Sequence, residues 1–155
     1  IHTTYSFERP FATTKSFENP EIGMIKASGA NYAVKFDEER GTVKDFATGI
    51  VVEVGLQHSD QAVKNAIEVI ENFLSYYDVI GGDFEVSDPE LFLHEELVEG
   101  NWEFLKENFQ KVEEGEIFAR RGDKELTADQ DFYPVLMSTN GYEGILGHKA
   151  SKLDE

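Results

Sequence analysis

The chain has 155 residues, a formal net charge of −17, 40% hydrophobic residues and 12 phenylalanines, enough apolar material for one folded domain with a real core or for two small lobes. That acidity speaks against nucleic acid and anionic membrane surfaces as partners, because both would repel it, and no apolar run is long enough for a membrane-spanning helix. With no cysteine there is neither a disulfide frame nor a thiolate metal site, so the expected setting is that of a soluble protein in a reducing cytoplasm.

The first residues, Ile1-His2-Thr3-Thr4, carry no initiator methionine and no polar leader, as if cut from something longer. Their β-branched character predicts a short strand, which turns irregular at Pro10 and is followed by a loop. Between the turn signals Asn19-Pro20 and Ser28-Gly29, a short strand is expected around Ile22–Ile25, and another around Tyr32–Phe36. The charged tract 37–41 reads as a surface loop. Ile50–Val54 is nearly continuous apolar sequence, which suits a central strand covered on both faces.

After Gly55 and a polar loop the period changes. Val63, Ala66, Ile67, Ile70, Phe73, Leu74 and Tyr77 recur at three- and four-residue spacing, the apolar face of a helix, with Ser59 or Asp60 as N-cap. Strand, loop and capped helix make half of a βαβ unit. Past Gly81-Gly82 short apolar pieces alternate with turns, which predicts a small β-rich lobe with one candidate helix at Trp102–Phe109.

Glu53 interrupts the run Ile50-Val51-Val52-Glu53-Val54. An unpaired carboxylate in such a strand costs several kcal/mol, so its surroundings must compensate. At the C-terminal end of a central strand, where open α/β sheets bind ligands, partly apolar surroundings would raise its pKa toward that of a general base. The alternative is structural: Glu53 pairs with a buried Arg or Lys, or caps a backbone turn. Of the four histidines, His2 lies on the opening strand, while His58, His94 and His148 sit in loops or loose segments. None has the i, i+4 spacing that places two imidazoles on one helix face. No phosphate-binding glycine loop, GxSxG elbow or cysteine nucleophile is present. Phe73, Tyr76 and Tyr77 read as packing residues.

The order of these pieces resembles the aspartoacylase / succinylglutamate desuccinylase family of zinc-dependent deacylases. The opening IHTTYSFERPFA is similar to the family's Asp-Leu-His-Thr strand, and GIVVEVG to the strand ending in the catalytic glutamate. SDQAVKNAIEVIENFL is similar to the helix that follows. The tail, from HEELVEGNWEFL through DFYPVLMSTNGYEGILGHKASKL, resembles the C-terminal β lobe. The resemblance implies an α/β and β architecture: residues 1–80 form the C-terminal part of a zinc-carboxypeptidase-like α/β sheet domain, and residues 81–155 a β-rich lobe.

It also implies the site. His2 matches the third zinc ligand, Glu53 the catalytic base, and Tyr142 the C-lobe tyrosine that reaches the substrate. Arg40 or Lys44 could supply a cation before the catalytic strand, although a solvated surface role suits that charged loop better. The substrate implied is a small N-acyl amino acid such as N-acetylaspartate or N-succinylglutamate, and the cofactor one zinc ion. Two departures stand out. The loop after Glu53 reads Gly55-Leu56-Gln57-His58-Ser59, without the family's prolines, which leaves the substrate open. The family's His-x-x-Glu ligand pair and its substrate-clamping arginines find no match in the chain. The expectation is therefore the C-terminal portion of a deacylase, inactive alone, with uncovered apolar surface that calls for a missing N-terminal portion or for self-association. The other function class is a non-catalytic binding or interaction module derived from the same family.

Overall fold

The computed structural model of this mixed α/β chain describes residues 1–37, 47–84 and 86–153. The chain divides into two compact units, one of Ile1–Thr4 with Glu8–Phe92, the other of Tyr5–Phe7 with Leu93–Glu155. Arg40 and Lys44 lie outside the described residues, as does most of the charged tract 37–41. No helix among the described residues is long and apolar enough to cross a membrane.

In the first unit, β1 (His2–Thr4), β2 (Phe11–Thr14), α1 (Glu21–Ala27), β3 (Tyr32–Lys35), β4 (Val51–Leu56) and α2 (Asp60–Tyr76) follow one another. Its strands lie in the order β1-β4-β2-β3, with the start of β5 (Glu90–Glu99) next to β3. β4 runs parallel to β1 and antiparallel to β2, while β2 and β3 are parallel. β4 is thus internal to the strand order, as its apolar composition predicts. Its faces are not equivalent, however: Val52 and Val54 are buried while Val51 and Glu53 are only half-buried. The period-two pleat sends the valine pair toward α2, where they pack with Ala62 and Val69.

Helix α2 starts where its sequence dictates, the Ser59 hydroxyl accepting from the Gln61 amide at 3.1 Å. Which face it buries differs from the expectation. Ala62, Asn65 and Val69 are buried, whereas Val63, Ile67 and Ile70 remain 61%, 51% and 45% exposed. The helix is apolar over a wider arc than the sheet covers, and its smaller side chains take the close approach to β4. Phe73, Tyr76 and Tyr77 do pack, as mutual ring contacts at 4.9–5.0 Å between centroids.

Two further expectations in this unit are corrected. Residues 22–25 form the middle of helix α1 instead of a strand: Ile22 and Ile25 sit three apart and turn to the same cluster with Ala12 and Ala33. Glu21 in the first turn and Lys26 in the last suit the helix dipole. The segment read as irregular after Pro10 contains β2, whose four residues are all buried. Pro10 stands just ahead of that strand, where its missing N–H costs no ladder bond.

The second unit continues β5 and adds β6 (Glu103–Phe104), β7 (Ile117–Arg121), β8 (Lys124–Thr127), β9 (Tyr133–Val135) and β10 (Ile145–Lys152). Strands β6-β7-β8 form one sheet, and β5-β10-β9 lie side by side. The core joins Val112, Phe118, Ala119, Phe132, Met137 and Leu146. No helix forms at Trp102–Phe109. The Trp102 indole donates to the Glu99 carbonyl at 3.0 Å, the Phe104 amide donates to Thr139 Oγ1 at 2.9 Å, and Arg121 lies 4.5 Å over the Trp102 ring. Buried Asn108 donates to the carbonyls of Ser6 and Met137 and accepts from the Met137 amide, at 2.9–3.0 Å. These long-range bonds replace the local i→i−4 ladder that helix formation would need.

Candidate functional site

The site forms where β1 and β4 meet. In their parallel pairing His2 stands in register with Glu53, so both side chains project from the same face of the sheet. His2 Nδ1 lies 3.2 Å from Glu53 Oε2. The Glu53 side chain is only 12% exposed and that of His2 61%, so the carboxylate is largely withdrawn from water beside a wet imidazole. On the other side of β4, Glu53 is in register with the fully buried Phe11. Glu53 therefore faces His2 and does not turn away from it.

The backbone after Glu53 is held tightly. Gly55 adopts φ +124°, and a Cβ there would lie 2.7 Å from the Glu8 carbonyl oxygen, so only glycine fits this close approach. Asn65, buried on α2, donates to the Val54 carbonyl at 2.8 Å and also approaches the Glu8 carbonyl at 3.4 Å; its own carbonyl accepts from Gln61 at 2.8 Å. The Gln57 amide donates to the Thr4 carbonyl at 2.8 Å, tying the loop after β4 back to β1. Sequence reasoning does not pick out Asn65, although the signal is there: a polar residue in the helical stripe Ala62, Asn65, Ala66, Val69.

Tyr142 belongs to the second unit. It is 61% exposed and meets Tyr5 edge-on at 6.0 Å between ring centroids. His58, exposed and at φ +66°, lines an open apolar depression of about 570 Å³ with Ile1, His2, Val63, Ile67 and Ile70. His94 and His148 meet in the second unit with ring nitrogens 3.1 Å apart. Burial first, and His94 second, hold the His148 pKa down to about 4.

Imidazole and carboxylate suit zinc as ligand and neighbouring base, but two side chains do not make a complete centre. Among the described residues no group of three or more His, Cys, Asp and Glu could hold a metal ion. The residues present fit a share of a zinc site and not the whole of one.

No family profile matches this sequence, and no curated protein matches it. Solved structures do. A succinylglutamate desuccinylase/aspartoacylase from Rhodobacter sphaeroides superposes with a TM-score of 0.74 at 17% identity, covering 99% of this chain and 57% of that one. The fold is that of the succinylglutamate desuccinylase/aspartoacylase structures. The product-bound ectoine utilization protein EutE (DoeB) from Ruegeria pomeroyi matches at TM-score 0.69 and 16% identity, over 97% of this chain and 56% of the other. A succinylglutamate desuccinylase from Vibrio cholerae matches at 0.68 and 16%, over 98% and 51%. This chain spans just over half the length of those structures.

Proposed function

We propose that the chain is the C-terminal portion of a zinc-dependent amide hydrolase that removes the acyl group from a small N-acyl amino acid. One observation carries the reading: on adjacent parallel strands in matched register, His2 and Glu53 meet at 3.2 Å with the carboxylate withdrawn from water. The shared fold with desuccinylase/aspartoacylase structures supports it. His2 would hold the metal with donors from outside these 155 residues, and zinc bound there would supply a Lewis acid that makes a water molecule acidic at neutral pH.

This chain's own chemistry centres on Glu53. As general base it accepts the proton of the attacking water, and as general acid it returns that proton to the leaving amine. Burial beside Phe11 keeps bulk water off the carboxylate, and Gly55 and Asn65 fix the strand that carries it. Tyr142, whose ring is exposed, is assigned to the substrate, its phenol donating to a carboxylate or carbonyl oxygen. N-acetylaspartate and N-succinylglutamate are the substrates of first choice. The charge of −17 disfavours nucleic acid and anionic membranes as partners.

The exposed stripe Val63, Ile67, Ile70 supports the view that α2 is covered in the complete enzyme. Alone, the chain would lack the donors for a catalytic metal and would not turn over.

The deciding experiment uses the full-length protein loaded with zinc and assayed against a panel of N-acyl amino acids. Glu53→Ala should abolish hydrolysis and leave the zinc content unchanged, while His2→Ala should lower both. Full turnover by Glu53→Ala would remove Glu53 from the chemistry. Absence of hydrolysis by the wild type would favour a binding module instead.

A further inference from the structure

We propose that His94 and His148 form a binding site for one divalent transition-metal ion of the zinc, nickel or copper kind, held between β5 and β10. The site lies in the second unit and does not depend on the reading of Glu53. The two residues come from neighbouring strands. Nδ1 of His148 lies 3.1 Å from Nε2 of His94, with ring centroids 4.9 Å apart and ring planes at 73°.

Two imidazole nitrogens that face each other at this distance share one proton, one ring donating and the other accepting. A metal ion can take the proton's place. Placed about 2.0–2.1 Å from each nitrogen, it would subtend an N–metal–N angle of about 100°, between the octahedral and tetrahedral values. Turning each ring from its neighbour toward a shared point is a χ2 rotation, and that torsion is broad in histidine. Imidazole suits zinc, copper and nickel, whereas magnesium and calcium want oxygen ligands.

The surroundings fit such an occupant. Both histidines are half-buried, so the pair is not sealed from solvent. His148 rides on a fixed strand: it is in register with buried Val135, and the adjacent Gly147 backbone is so close to β9's continuation that a Cβ would lie 2.5 Å from Met137 Cα. The cation next along β10, Lys149, is held by Glu96 and Asp129 at 3.0 Å each, so its charge is balanced locally. Since no third His, Cys, Asp or Glu completes a cluster among the described residues, binding should be weaker than in a closed four-ligand zinc site.

The test is a titration of the metal-stripped chain with zinc and, separately, nickel, followed by imidazole NMR and thermal melting. One equivalent should bind saturably, shift the ring signals of His94 and His148 together, raise Tm, and be released by a chelator. His94→Gln and His148→Gln should each weaken binding by at least about tenfold. His2→Gln should leave it unchanged, which separates this site from the His2–Glu53 pair. Circular dichroism checks both variants, and should His148→Gln not fold, the His94→Gln comparison decides. Saturable binding that persists in His94→Gln, or no saturable binding by the wild type up to millimolar metal, would overturn the proposal.

Discussion

Asn65 reaches from α2 to the carbonyl oxygen of Val54, the residue after Glu53, at 2.8 Å. It satisfies a buried acceptor at the point where β4 bends through Gly55. Removing the amide leaves that carbonyl short of a donor, a loss of about 1–3 kcal/mol. Asn65→Ala should therefore lower the unfolding free energy in urea by that amount with the slope unchanged. Under the function proposed above, the full-length protein should also lose kcat more than KM, because the strand that carries Glu53 loses its support. An unchanged midpoint would show that water replaces the amide without cost.

Two glycines of the second unit separate backbone strain from steric collision. Gly115 sits at φ +85° with nothing within 4 Å of where a Cβ would stand, while Gly147, at φ +150°, would place its Cβ 2.5–2.7 Å from the Met137 backbone and side chain. Gly115→Ala should cost about 1 kcal/mol, from conformation alone. Gly147→Ala must push β10 away from the residues after β9 and should lose roughly 1–3 kcal/mol more. Thermal melting of the pair checks the order, and equal Tm values would contradict it.

Acid stability follows from His148. Its folded pKa is held down to about 4, by burial first and by His94 second, against about 6.5 in an unfolded chain. Between those values the unfolded state binds more protons, so stability is complete above pH 6.5 and falls as the pH drops toward 4. The total loss is at most about 3 kcal/mol, and below pH 4 this group contributes no further change. His94 faces it from β5, while the nearby carboxylates of Glu96 and Asp129 are engaged by neighbouring Lys149. His148→Gln should flatten this limb in urea melts of the metal-stripped chain taken from pH 7 to 4. A wild-type curve already flat there would refute the assignment.

The exposed residues Val63, Ile67 and Ile70 on α2 should drive association of the isolated chain through apolar contact. Replacing all three by serine should leave the stability of the fold nearly unchanged, within about 0.5 kcal/mol per site, and shift sedimentation to the monomer. A wild-type chain that sediments as a monomer at high concentration would contradict this.

What was legible in the sequence depended on how local its cause was. Helix α2 and its Ser59 cap follow from periodicity and capping within seventeen residues, and β4 follows from its valines. Helix α1 was not legible, because seven residues containing Gly23 give too little periodicity to oppose the turn signals around them. The non-helical course of 102–109 is held by Asn108 bonding to Met137, 29 residues away, and propensity cannot register such a bond. The His94–His148 pairing spans 54 residues, and each histidine alone looked like a loop residue. Glu53 stood out from composition alone, but its partner His2, 51 residues distant, entered through family resemblance.

Glu53 sits between two unlike neighbours, wet His2 on one flanking strand and fully buried Phe11 on the other. Under the function proposed above, the carboxylate would exchange protons on its His2 side, the flank that is open to water, while the Phe11 flank is closed. The order β1-β4-β2 is what gives Glu53 one solvated flank and one dry one.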